Sequence, residues 1–196
     1  MSTEMTPRER WLAVLRREQP DRVPMDYWAT PEATRKLMTH LGCVTEEAMY
    51  RRLNIDKVMS VEARYIGPSR PNNEDVFGVR YREIAYCSGT YQECVYHPLA
   101  KYETVEEIKA DYRWPSPDWF DYSHIPQQVQ AWEDYYPIQG GGSEPFLTYC
   151  HLRGQQQALI DLILFPEIVH YCLDTVFELC YINTMRIYEQ IPGKVM

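Results

Sequence analysis

Residues 6–28 read TPRERWLAVLRREQPDRVPMDYW, a helix, a sharp turn and an extended run in direct succession. Thr6 and Glu9 have the spacing of a capping box, and Pro7 takes the first helical position, where its missing N–H costs nothing. Trp11, Leu12 and Leu15 share one side of that helix. Pro20 blocks continuation and biases Gln19 towards extended geometry, so the helix ends at Gln19-Pro20-Asp21-Arg22. Val23 to Trp28 then runs as a first strand and finishes on Asp26, Tyr27 and Trp28. The end of a first strand is where an α/β enzyme places its working groups.

Outward from this stretch, strand and helix signals alternate. Thr30 and Pro31 open a helix that runs to about Leu41, with Gly42 placed to end it. Thr45 caps a short helix through Leu53. Asp56 to Tyr65, DKVMSVEARY, reads as the second strand. Its centre alternates, with Ser60, Glu62 and Arg64 on one face and Val61, Ala63 and Tyr65 on the other. Alternating runs at Val76–Ile84 and Thr90–Tyr96 around Ser88-Gly89 predict a β-hairpin over 76–96, inserted into the βα pattern. Thr104 and Glu107 form a second capping box. Residues 121–133 read as a helix interrupted by Pro126, and Tyr136–Gly140 as a short third strand with Gln139 as its polar member. Gly140-Gly141-Gly142 before Ser143 offers backbone N–H groups to an anion, with a flexible strand-to-helix turn as the favoured reading. Helices are expected at about 155–164 and 166–190, the second with Val169, Cys172, Leu173, Val176 and Cys180 on one face. The alternation implies an α/β fold with a parallel sheet.

The totals narrow the classes. The chain has 196 residues, 45% of them hydrophobic, enough for a sizeable core. A net charge of −8 argues against nucleic acid as a partner. No apolar run has the length of a membrane span, because Asp161 interrupts the longest, and the N-terminus lacks the build of a signal peptide. Six cysteines without paired spacing point to reduced thiols and a cytoplasmic protein. Sixteen tyrosines and five tryptophans suit polar-tipped core packing or a pocket for a flat ligand.

Residues 6–28, together with EDVFGVRYREI…GTYQECVYHPLAKYETVEEIKADYRWPSPD (Glu74–Asp118) and LRGQQQALIDLILFPEIVHYCLDTVFE (Leu152–Glu178), resemble the uroporphyrinogen decarboxylase-like superfamily. That superfamily contains the decarboxylase itself and the corrinoid-linked methyltransferases. The resemblance covers nearly the whole chain in the family's order. It implies the N-terminal portion of a TIM-type (β/α)8 barrel, incomplete in 196 residues, forming a single domain over 1–196 with the 76–96 hairpin inserted. Such a barrel takes about 250 residues, and only three barrel-type strands precede Pro192-Gly193-Lys194-Val195-Met196, where a fourth is expected to begin.

In a barrel the outer face packs on helices and is apolar, so Ser60, Glu62 and Arg64 are expected to point inward. Neighbouring first and second strands would then bring Asp26, Glu62 and Arg64 together as a catalytic trio for acid–base work or for holding a polar substrate. A structural salt bridge closing the barrel end accounts for the same residues. Trp28, Tyr65 and Gln139 are the substrate-binding candidates. The decarboxylase follows its first strand with an arginine-rich segment, whereas here Asp26-Tyr27-Trp28-Ala29-Thr30-Pro31 stands there, with no arginine before Arg35. The decarboxylase's late-strand aspartate aligns with Ala63. Both departures favour corrinoid-linked methyl transfer over decarboxylation of a tetrapyrrole or another carboxylated substrate. A non-catalytic binding or assembly module is the reading from another class. No metal ligands are expected here. The methyltransferases' zinc and corrinoid belong with the other half of the fold, and adjacent Cys150-His151 has the wrong spacing for their histidine-x-cysteine pair. A small-molecule substrate is expected as partner, with no nucleic acid and no membrane. Self-association or a complementary half-barrel would cover the open inner face.

Overall fold

The Thr6 hydroxyl accepts from the Glu9 N–H while the Glu9 carboxylate accepts from the Thr6 N–H, so α1 (Pro7–Leu15) starts at its capping box. The computed structural model describes residues 4–87, 89–132, 134–142 and 144–195. Ser88 of the hairpin turn, Glu133 and Ser143 after the glycine run lie outside the described residues. Thr30 caps α2 (Pro31–Leu41), which ends on Gly42 at φ 65°, a left-handed conformation that favours glycine. Thr45 caps α3 (Glu46–Arg52). Then follow β1 (Met59–Val61), β2 (Arg64–Tyr65), β3 (Arg80–Tyr86), β4 (Gly89–Tyr96) and α4 (Val105–Asp111) under the Thr104 capping box. The chain continues through β5 (Phe120–Asp121), α5 (Ile125–Val129), β6 (Ile138–Gly140), α6 (Pro145–Arg153), α7 (Gln155–Leu164) and α8 (Pro166–Gln190).

The result is a mixed α/β chain with small sheets. β1 and β6 pair in parallel, β2 with β5 and β3 with β4 antiparallel. Ile138 also forms a parallel bridge to Val195. Among the described residues no closed barrel is present.

Among the elements that differ from expectation, two do so because side chains take over backbone bonding. Val23–Trp28 is extended but forms no strand: Pro24 has no N–H to give, and the Met25 N–H goes to the Asp56 carboxylate at 2.9 Å. The second strand stops at Val61. Beyond it the Gln128 amide takes both the Glu62 N–H, at 3.3 Å, and the Glu62 C=O, at 3.0 Å, as a neighbouring strand would. Arg64 and Tyr65 then form β2 against β5. Among the described residues of 121–133, only Ile125–Val129 is α-helical, and Pro126 stands in its first turn rather than interrupting it. The sequence reading also missed α6, whose Pro145 stands in its first turn.

Two compact units are formed. The first comprises 1–63, 122–140 and 187–196. Its anchor is a buried ion network: Arg10, 1% exposed, bonds Asp21 at 2.6 Å and Asp56 at 2.5 Å, and Asp56 also takes Arg22 at 2.6 Å. The Trp11 indole donates to the Asp56 C=O at 2.7 Å. The opening helix is therefore fastened to the extended run and to the entry of β1. The Arg10 guanidinium holds the Asp21 carboxyl far below the usual carboxylate range. In the parallel pair, Val61, Ile138 and Gly140 face the core, whereas Ser60 and Gln139 are exposed on the opposite face.

The second unit comprises 64–121 and 141–186. Its core joins Val79, Leu99, Ile108, Leu152, Ile168, Cys172 and Val176. At its centre Arg153 bonds Asp161 at 2.7 Å and also gives N–H groups to the Leu99 and Tyr102 carbonyls. Asp161 also accepts from the Tyr149 hydroxyl at 2.5 Å and from the Gln157 amide N–H at 2.7 Å. The Arg153-Gly154 corner is thus a packed helix junction.

Candidate functional site

The first unit carries a cavity of about 430 Å³ on the polar face of β1 and β6. It is walled by segments far apart in sequence: the end of the extended run (Asp26, Tyr27, Trp28), the start of α3 (Glu46, Tyr50), the entry to β1 (Lys57, Ser60) and Gln139 of β6.

Asp26 is the organising group. Its carboxylate accepts from the Tyr27 N–H at 2.8 Å, from Lys57 Nζ at 3.0 Å and from the Trp28 indole N–H at 2.7 Å. Burial pushes the Asp26 carboxyl up, but these three donors outweigh it and hold it below the ordinary range. It is an ionised acceptor with three donors on its two oxygens, and it fixes Lys57 and Trp28. Lys57 also donates to the Tyr27 C=O at 3.0 Å, and its Nζ lies 5.5 Å from the Trp28 ring centroid. Trp28 itself is 88% exposed. Across the cavity Gln139 donates to Ser60 Oγ at 2.7 Å. The Tyr50 hydroxyl donates to Glu46 at 2.6 Å; burial first, and then that carboxylate, push the phenol well above its usual value.

The remaining expected residues stand apart from this cluster. Glu62 is exposed and is not among the cavity's walls. Arg64 belongs to the second unit and is paired with Asp121 at 2.6 Å. Tyr65 is in that unit too, its hydroxyl donating to the Pro68 C=O at 2.8 Å and its ring set edge-on to Trp119 and Phe120. Asp26, Trp28 and Gln139 therefore wall one cavity, whereas Arg64 and Tyr65 have local partners of their own. Sequence reasoning missed Lys57. Its signal was a basic residue directly after Asp56 at the entry of the second strand.

Cys94 and Cys150 are not activated as nucleophiles. His97 Nδ1 bonds the His151 C=O at 2.7 Å, so it carries the proton and is no base for Cys94, 3.4 Å away. Burial raises the thiols of Cys94 and Cys150. Among the described residues no group of three or more His, Cys, Asp or Glu is placed to hold a metal ion. These residues do not fit the zinc–thiolate site of the corrinoid methyltransferases. No helix among the described residues is long and apolar enough to cross a membrane.

Fold and site define a mixed α/β protein with an aromatic-rimmed polar cavity on its parallel strands. No family model, curated protein or solved structure matches the chain.

Proposed function

We propose that the Asp26–Trp28–Lys57–Gln139 cavity is a small-molecule site and that the chain is an enzyme, or part of one, of the uroporphyrinogen decarboxylase-like superfamily. The observation that carries the reading is the gathering of these groups from separate segments onto the polar face of the parallel pair. Two features support a barrel arc. The Asp56 N–H donates to the Met25 C=O at 2.6 Å, and Ile138 bridges Val195 in parallel. The extended run, β1, β6 and Val195 thus follow one another in chain order, as successive barrel strands do. Within the site Asp26 orients, Lys57 offers a cationic donor, Trp28 a stacking face, and Ser60 and Gln139 hydrogen bonds. Methyl transfer stands ahead of decarboxylation because the run after Trp28 carries no arginine before Arg35, which is itself exposed and 3.5 Å from Glu32. No step through a metal or corrinoid is derived.

The test is a fragment screen by ligand-observed NMR against the wild type, Trp28→Ala and Lys57→Ala. Hits that compete with one another and weaken in both variants support the site. Hits indifferent to both substitutions overturn it. Thiol methylation from methylcobalamin, against CO2 release from a carboxylated tetrapyrrole, separates the two reactions. Inactivity in both assays, with the site intact, favours a binding module.

A further inference from the structure

The walls of the cavity also constrain the charge and shape of what it takes, an inference that rests on the small-molecule reading above. Trp28 is 88% exposed yet held at two points, by its indole N–H on Asp26 and by Lys57 over its ring. An ordered, uncovered indole is a platform for a flat ring. Charge then discriminates among flat rings. Lys57 is paired with Asp26 at 3.0 Å, while Glu46, in the same wall, has no ion pair among the described residues. Two carboxylates around one ammonium repel a ligand anion, while Asp26 is already neutralised by Lys57 and Glu46 is exposed to water and takes the Tyr50 hydroxyl, so little field is left to hold a cation and an uncharged ring fits the wall best. The free hydrogen-bonding groups are a mixed set. Lysine carries three N–H donors, of which Asp26 and Tyr27 take two. Gln139 gives one N–H to Ser60 and keeps a second N–H and its carbonyl oxygen, a donor beside an acceptor.

We propose that the cavity binds an uncharged planar heterocycle bearing a lactam edge, a ring C=O next to a ring N–H. The ring stacks on Trp28, the Gln139 amide pairs with the lactam edge, and the third Lys57 N–H meets a further ring carbonyl.

Three flat aromatic probes test this on the full chain at pH 7 by fluorescence titration: lumichrome, neutral with lactam edges; 2-naphthoate, an anion; and 2-naphthylmethylammonium, a cation. Lumichrome is expected to bind saturably and more tightly than either naphthalene. Trp28→Ala and Gln139→Ala should each weaken it about tenfold, the loss of one stacking or one paired contact, and Trp28→Phe should largely retain it. Circular dichroism melts check that the variants fold; both positions are exposed, so folding should be unchanged. Tighter, Trp28-dependent binding of either charged probe overturns the ligand class and leaves the cavity reading intact. Lumichrome binding that ignores both substitutions, or no binding, overturns the lactam proposal. If the fragment screen is also indifferent to Trp28 and Lys57, the cavity reading falls with it.

Discussion

At the scale of single residues, Asp26 shows how a group's position can be legible in a sequence while its partners are not. Its place at the end of an extended run is legible in the sequence. Its role depends on Lys57 and on the Trp28 indole, two donors whose approach only the folded chain sets. Because its carboxyl titrates below the ordinary value of about 3.9, its stabilising effect is present at neutral pH and is lost as pH falls below about 4. The Trp28 indole N–H resonance should therefore move on acidification through that range. In Asp26→Asn the shift should vanish, at a cost of less than about 1 kcal/mol because the ion pair is partly exposed. A two-dimensional NMR titration of both proteins checks this, and an unchanged indole titration in the variant would refute it. Gly140 makes a second case. A Cβ there would stand 2.5 Å from Ile187 and 3.1 Å from Val61, both in the same unit. Gly140→Ala should lower stability by roughly 1–3 kcal/mol through overpacking, read from urea unfolding midpoints. Nothing in the run Gly140-Gly141-Gly142 distinguishes this packed glycine from a merely flexible one.

At the scale of elements, local chemistry was legible and side-chain substitution for backbone was not. The capping residues Thr6, Thr30, Thr45 and Thr104 all start helices, because a cap acts within one turn. The α8 stripe of Val169, Cys172 and Val176 is buried as its spacing requires. The second strand was read too long because Gln128, distant in sequence, bonds across Glu62. Asp161, an interruption in an apolar run by sequence, is the hub of the second unit's core. Burial raises its carboxyl, but Arg153, Tyr149 and Gln157 together hold it below the ordinary range. Asp161→Asn keeps the shape and leaves the Arg153 guanidinium buried without a counter-charge. The expected loss is roughly 3–5 kcal/mol at pH 7. The gap between wild type and variant should begin to narrow below about pH 4, where Asp161 of the unfolded chain takes up a proton that the native carboxylate still refuses. Denaturant unfolding of both at pH 7 and pH 3.5 measures it; a gap that widens on acidification would contradict the assignment.

At the scale of the whole molecule, the decisive quantity is apolar surface without cover. On α7, Leu159, Leu162, Ile163 and Leu164 are 52%, 45%, 80% and 63% exposed, although their sequence has the apolar density of a core segment. The α7 helix buries only Ala158 and Asp161 fully, so most of its hydrophobic character faces outward. On α8, Phe177 and Tyr181 are also exposed, with their rings stacked 6.4 Å apart. Scattered exposed apolar residues are ordinary; five on one short helix, Ile160 being the fifth, mark an interface or an aggregation site. The chain by itself is therefore expected to associate as its concentration rises. Size-exclusion chromatography with light scattering, and thermal unfolding at two concentrations, read this directly. Ile163→Lys discriminates among causes. Ile163 is so exposed that the substitution should change stability by no more than about 0.5 kcal/mol, yet a charge there should move the chain towards monomer if α7 is the associating face. Association that persists unchanged in the variant would place the contact elsewhere. A monodisperse wild type with a concentration-independent transition would show that this surface is tolerated in water.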